Sequence, residues 1–300
     1  MHGLALGDAF GERWFPLMRS PEEAFRQIRA RATPHERTWH WTDDTAMALG
    51  VLSVLSADGE IDQDRLARAF ADTYAADPAR GYGYGMHELL PELRHRPDAW
   101  RVRAAELFDG QGSLGNGAAM RAAPLGAWFH ADPARAVAQA ELAARVTHGH
   151  PEGVAGAVAV TVAAALTASV RGGATPPPPA AGAAFLRLVA EHTPPSAVRD
   201  GLDLAAELPL DTPPWQAADL LGSGRRVRAD DTVPFAVWSA AHHRDSLVDA
   251  LWTTAEGLGD VDTTCAITGG IVAAHTGLAG VPDAWRARRE PLPAWVDALI

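Results

Sequence analysis

Trp41-Thr42-Asp43-Asp44-Thr45-Ala46-Met47-Ala48-Leu49-Gly50-Val51-Leu52-Ser53-Val54-Leu55-Ser56 is the stretch on which the fold turns. From Thr45 to Ser56 apolar residues occupy nearly every helical face, the pattern of a helix buried among others. Two adjacent carboxylates stand directly before it. A second run, Gly259-Asp260-Val261-Asp262-Thr263-Thr264, introduces another long apolar helix, expected over Thr263 to Leu278. Helix capping accounts for part of this acidity, because Thr42 or Asp43 can accept the free amides of a first turn, and Asp262 with Thr263 can do the same. It does not account for both carboxylates of each pair. Aspartates this close repel each other, and burying them is costly unless a cation sits among them. The economical reading is one divalent metal site, or a pair, built from both runs. Carboxylate and hydroxyl oxygens are hard ligands that suit Mg²⁺ or Mn²⁺ better than zinc.

Working outward, amphipathic or buried helical patterns recur over Arg65–Tyr74, Ala134–Val146, Ala183–His192, Pro195–Leu208, Val233–His243 and Ser246–Gly257. Alternating strand patterns are scarce and no βαβ rhythm is present, so the fold class is all-α. The Gly172–Gly182 stretch, with Pro176 to Pro179 in a row, is expected to be an extended surface loop within one domain spanning 1–300. The proline-, arginine- and tryptophan-rich piece from Val281 is expected to wrap the surface.

With 300 residues, 47% of them hydrophobic, the chain can bury a large core. Its formal charge of −11 offers no basic field for nucleic acid or anionic membranes. The uncharged Gly153–Val170 segment is too rich in alanine, glycine and threonine for a membrane span and suits a closely packed central helix. A single cysteine, Cys265, excludes an intrachain disulfide framework, fits a reducing cytoplasm, and is read as a small buried hydrophobe.

Three further motifs carry possible chemistry. Gly115-Asn116-Gly117-Ala118-Ala119-Met120-Arg121, preceded by Gly110, Gly112 and Ser113, is a glycine-rich turn leading towards a helix, where backbone amides can approach a diphosphate. Arg121 is expected either to face phosphate or to pair with a structural carboxylate. Arg80-Gly81-Tyr82-Gly83-Tyr84-Gly85 suits a loop that presses its backbone against a ligand. Thr147-His148-Gly149-His150-Pro151 lacks the partners zinc needs, but His148 can hydrogen-bond a ligand hydroxyl. Trp39 and Trp41 flank the acidic run and are expected to wall a pocket, whereas His35, His40, His242 and His243 are read as structural. No nucleophilic-serine, Walker or dinucleotide fingerprint is present.

In order along the chain, Gly3-Leu4-Ala5-Leu6-Gly7-Asp8-Ala9-Phe10-Gly11, Trp41-Thr42-Asp43-Asp44-Thr45-Ala46-Met47, Arg80-Gly81-Tyr82-Gly83, Gly115 to Arg121, Thr147-His148 and Asp260-Val261-Asp262-Thr263 resemble the ADP-ribosylglycohydrolase family. The resemblance runs from residue 3 to about 280. It implies a compact, single-domain orthogonal helical bundle with a central binuclear metal cleft holding two Mg²⁺ or Mn²⁺ ions. By the same resemblance, Thr42, Asp43, Asp44, Asp260, Asp262 and Thr263 would hold the metals. The turn of Gly115, Asn116, Gly117, Ala118 and Met120 would bind the ADP-ribose diphosphate, and Gly81, Gly83, Tyr84, Gly85 and His148 would line the ribose side. The implied reaction is hydrolysis of the bond between the ribose anomeric carbon and an acceptor on a protein or small molecule, with Asp43 or Asp44 taking the proton from water. The chain departs from the family where many members carry a glutamate four residues beyond Gly11: that position is Phe15, and the nearby acid is Glu12. Either Glu12 takes over the catalytic role or the family's gate is absent, so a non-catalytic ADP-ribose binder is the alternative. A magnesium-dependent prenyl or terpene enzyme is disfavoured by the lack of a DDxxD run and by the glycine loops.

Overall fold

Gly3, Gly7 and Gly11 recur every fourth residue along α1 (His2–Gly11) and therefore share one face. That face lies antiparallel against the backbone of α15 (Val261–Thr276): Gly3 beside Gly269 and Ala273, Gly7 beside Cys265, Gly11 beside Val261. A methyl group added at Gly7 would overlap the Cys265 carbonyl oxygen. Glycine in a helix costs about 0.5–1 kcal/mol relative to alanine, and here it permits the most extensive helix contact among the described residues. The start of α15, with its acidic run, is thereby drawn to the end of α1.

The computed structural model describes residues 1–171 and 182–299. Of the loop expected over Gly172–Gly182, residues 172–181 lie outside them, and Gly182 instead begins a helix. The described residues form helices α1 and α2 (Pro21–Arg29), α3 (Asp43–Asp58), α4 (Gln63–Ala76), α5 (Tyr84–His95), α6 (Trp100–Gly110), α7 (Ala123–Trp128), α8 (Pro133–Arg145) and α9 (Pro151–Arg171). After the gap come α10 (Gly182–His192), α11 (Ala197–Glu207), α12 (Pro214–Leu221), α13 (Val233–His242) and α14 (Leu247–Ala255), then α15 and the short α16 (Asp283–Arg288) and α17 (Ala294–Asp297). No strand is present among the described residues, in agreement with the all-α reading. The periodic segments became helices within two residues of the expected limits. Not expected from the sequence were α2, α6, α7, α12, α16 and α17, together with α1, whose three glycines hide its helical character, and α5, which begins at Tyr84 inside the expected glycine loop and carries Pro91.

One hydrophobic core runs from Leu4 to Trp285, and α9 packs on both α8 before the gap and α10 after it. Length and composition alone would let Pro151–Val170 cross a membrane, but 83% of that window is buried against its neighbours in the fold. Its small residues act locally: Gly153 lies against Ser113 and His148, and Gly156 against Ala119, so the glycine-rich turn rests directly on this helix.

The C-terminal piece does more than wrap the surface. Trp285 is buried, stacked on Phe10 with centroids 4.9 Å apart. Trp39 packs 6.0 Å from Phe10 and 5.4 Å from Trp285, and its backbone pairs with Arg288 and Glu290. Trp39 is therefore part of the core, contrary to expectation. Cys265 is free and buried, as read from the sequence.

Candidate active site

The acidic site is assembled around Asp8, which is fully buried on α1. Its two oxygens accept the Thr42 amide (3.0 Å to each), the Thr42 hydroxyl (2.9 Å), the Thr45 amide (3.0 Å) and the Thr45 hydroxyl (2.5 Å). A carboxylate at a helix N-terminus satisfies free amides and complements the helix dipole. Asp8 thus fastens the start of α3, and with it Asp43 and Asp44, to the helix that α15 already touches. Thr42 is the cap of α3, its hydroxyl receiving the Asp44 amide.

The two acidic runs meet. The Thr42 hydroxyl oxygen lies 3.0 Å from Asp44 Oδ2, and the Thr263 hydroxyl reaches the same oxygen at 3.5 Å across 219 residues of sequence. Asp262 accepts from the Thr263 amide at 2.7 Å, and Asp260 accepts from the Asn116 side chain at 2.7 Å. Asp43, Asp44, Asp260 and Asp262 all line one cavity of about 700 Å³. Its wall also takes in Gly81, Gly83, Tyr84 and Gly85, then Gly115, Asn116, Gly117, Met120 and His148, and Thr263. Thr42 faces an adjoining cavity.

Burial dominates the electrostatics. Loss of water pushes the Asp43 carboxyl up to about 8, and the neighbouring Asp8 and Asp260 push the same way. Asp8, although held by four donors, rises to about 6. Asp44 and Asp262 stand well above the ordinary carboxylate range, from desolvation first and from each other's neighbours second. Asp260 is raised more gently, because the Asn116 hydrogen bond opposes its burial. Asp44 Oδ1 is buried without a hydrogen-bond partner. The cluster is an arrangement of hard oxygens short of positive charge.

His148 is almost fully buried, with Nδ1 2.7 Å from the Thr147 hydroxyl and its Nε2 edge against Gly117. Burial keeps its pKa well below the ordinary histidine value, with Arg121 adding to the effect, so the ring is a neutral hydrogen-bonding group. A side chain at Gly117 would lie 3.1 Å from that ring, so glycine here makes room for the histidine.

Several expectations are corrected. Ala118 is buried beneath the turn and does not line the cavity. The turn is a single one over Asn116–Ala118, and the next helix begins only at Ala123. Arg121 lines the cavity but, among the described residues, forms no ion pair: buried, it donates to the Thr147 hydroxyl (2.7 Å) and the Ala143 carbonyl (3.2 Å) and lies 4.3 Å over the Phe70 ring. Desolvation lowers it to about 9. Glu12 does not line the first cavity. It shares a second, of about 710 Å³, with Phe15, Trp41 and Arg80, and this second space meets the first at Gly81, Asp260 and Asp262. Arg80 lies 3.8 Å over the Trp41 ring and is gripped by both oxygens of Glu290 at 2.8 Å.

Asp8 went unassigned in the sequence. A solitary acid in an apolar run has no spacing partner, although the glycines on either side were a sign of close helix contact. Phe108, Val227, Arg226 and Arg228 also line the first cavity and carried no periodic signal.

The profile of the ADP-ribosylglycohydrolase family matches residues 1–300. The chain belongs to this family. A human protein named ADP-ribosylhydrolase ARH3 is 28% identical over 279 residues, covering 82% of this chain and 74% of its own length. The zebrafish (Danio rerio) protein of the same name is 27% identical over 316 residues, covering 96% and 84%. A solved structure titled ADP-ribosylglycohydrolase-related protein complex superposes with a TM-score of 0.63 at 24% identity, over 96% of this chain and 89% of that one, and so shares the fold. Family membership places the chain among glycohydrolases of ADP-ribose linkages.

Proposed function

We propose that this protein is a divalent-metal-dependent hydrolase that cleaves the glycosidic bond between ADP-ribose and an acceptor on a protein side chain or small molecule. The observation that carries the reading is the convergence of Asp43, Asp44, Asp260 and Asp262 with Thr42 and Thr263, from runs far apart in sequence, around an unpartnered buried oxygen of Asp44. These residues fit a hard cation. Among the described residues no three Asp, Glu, His or Cys side chains are spaced to enclose an ion by themselves. That is compatible with Mg²⁺, which commonly binds through one or two carboxylates and keeps several waters.

Thr42, Asp43, Asp44, Asp260, Asp262 and Thr263 would hold two Mg²⁺ or Mn²⁺ ions. Bound there, the ions would offset the carboxylate charge, orient ribose hydroxyls and polarise a water molecule. One oxygen of Asp44 lies 3.0 and 3.5 Å from the Thr42 and Thr263 hydroxyls. Asp43 Oδ1 lies beside Gly81 on the cavity wall. Asp43 is therefore the better placed to accept the proton of the attacking water, on the face of the sugar opposite the departing acceptor. His148 serves as a neutral partner for a ribose or phosphate oxygen. Glu12, in the adjoining space, stands on the acceptor side. Phe15 on the same wall favours one second reading, an ADP-ribose binder without turnover.

The test is a hydrolysis screen over ADP-ribosyl-arginine, ADP-ribosyl-serine and small-molecule conjugates, with and without Mg²⁺, alongside the melting temperature with ADP-ribose plus Mg²⁺. Metal-dependent release of ADP-ribose is expected. Thermal stabilisation without release from any linkage would establish the binder instead, and neither response would sink both.

A further inference from the structure

A diphosphate brings two negative charges to a cavity already lined by four carboxylates, and something on the wall must receive them. The glycine-rich turn is less free to do so than its sequence implies: the Gly115 amide donates to Ser113 Oγ at 3.2 Å and the Asn116 amide to the Val227 carbonyl at 3.2 Å. Three arginines line the cavity, and one of them, Arg121, is buried with its guanidinium already committed to Thr147 and Ala143. The other two, Arg226 and Arg228, flank Val227 on the loop between α12 and α13.

This loop is tied to the turn by two backbone hydrogen bonds, Asn116 to Val227 and Ala229 to Leu114 (3.0 Å). Val227 has φ of +55°, a conformation that β-branched residues rarely adopt, and such backbone persists only where its surroundings hold it. Arg226 and Arg228, on either side of Val227, both line the cavity. Arg228 is braced by both oxygens of Asp230 (2.8 and 3.0 Å), and Arg226 by Asp231 (3.0–3.1 Å), while the arginines remain 39% and 62% exposed. Each keeps donors beyond those its aspartate uses, because a guanidinium carries five.

We propose that Arg226 and Arg228 are specificity residues that recognise the diphosphate of the substrate, an inference that rests on the ADP-ribose reading above. They supply charge-assisted, fork-shaped hydrogen bonding beside the glycine turn. Asp230 and Asp231 hold the forks in orientation, so little side-chain freedom is lost when the anion arrives.

The experiment is calorimetric titration of ADP-ribose and of adenosine, in Mg²⁺ at two salt concentrations, into the wild type, an Arg226→Gln/Arg228→Gln variant and an Arg226→Lys/Arg228→Lys variant. The glutamine variant is expected to weaken ADP-ribose by at least about tenfold, one or more charged hydrogen bonds. Adenosine affinity is expected to hold and the salt dependence of ADP-ribose binding to flatten. The lysine variant is expected to retain that salt dependence. Equal ADP-ribose affinity in wild type and glutamine variant overturns the assignment, as does a parallel loss of adenosine binding, which would mark a structural role for the loop. Absence of ADP-ribose binding by the wild type itself removes the underlying substrate reading.

Discussion

Asp8 and Phe10 stand two residues apart on α1, both sealed from water, in opposite kinds of surroundings. Around Asp8 are four hydrogen-bond donors and three more carboxylates, Asp43, Asp44 and Asp262. Around Phe10 are Trp14, Trp39, Trp252 and Trp285, with ring centroids 4.9–6.0 Å away. The aromatic nest is favourable as it stands, because burying each ring removes apolar area from water. The acidic cluster is unfavourable as it stands, because its charges are desolvated and alike. One helix turn thus holds a region that stabilises the fold beside a region that is tolerated for what it binds. The two should respond in opposite ways to mutation, to metal and to pH.

Gly7→Val breaks both at once and has the largest expected effect. Its side chain would meet the Cys265 backbone, which belongs to a helix that cannot yield locally. α1 and α15 would separate, taking Asp8 from the cluster and Phe10 from the nest. A loss above about 4 kcal/mol is expected, read as failure to yield folded protein or as collapse of the chemical-denaturation midpoint. A variant of near wild-type stability would show that the two helices need not lie in backbone contact.

A crossed pair sharpens the contrast. Phe10→Ala is expected to cost about 3–5 kcal/mol of stability while turnover per folded molecule stays close to wild type. Asp43→Asn is expected to lower turnover by about 10²–10⁴-fold. In chelator it should raise the melting temperature, because asparagine needs neither the desolvation of a charge nor the uptake of a proton that burial of Asp43 demands. If Asp43→Asn destabilised the metal-free protein, the cluster would be holding the fold together instead of burdening it.

The same contrast explains what was legible in the sequence. Apolar periodicity marks helices such as α3 and α8 because the hydrophobic effect acts residue by residue. The two acidic runs stand out because like charges packed together need a reason, and the structure brings both to one cavity. Asp8 is indistinguishable in isolation from an exposed acid, since what makes it a hub is the fit of α3 onto α1. Arg121 misled because buried arginine partners, here Phe70 and Thr147, are set by tertiary contact. Trp39 and Trp41 differ only in register, one facing Phe10 and the other Arg80, a distinction that exists only once the C-terminal piece pairs with Trp39.

The smallest effect is a slope with pH. Burial raises Asp43 to about 8 in the folded protein, against about 4 for an unfolded aspartate. Between those values the native state holds a proton that the unfolded chain releases, so stability falls as pH rises, by at most about 1.4 kcal/mol per pH unit for each such proton. Below about 6.5 the buried neutral His148 acts in the reverse direction, since the unfolded histidine takes up a proton that the native ring refuses. The window that isolates the cluster is therefore pH 6.5–8. There the Met1 amine, lowered to about 6 by burial, contributes with the opposite sign, so the wild type is measured against Asp43→Asn, which shares that amine. Denaturation midpoints in chelator are expected to fall with pH more steeply for the wild type than for the variant. Saturating Mg²⁺ is expected to remove the difference by holding the carboxylates ionised in the native state. Parallel slopes in chelator would mean that Asp43 is ionised in the folded protein without metal, and the division of α1 into a region that supports the fold and a region that awaits a cation would lose its electrostatic basis.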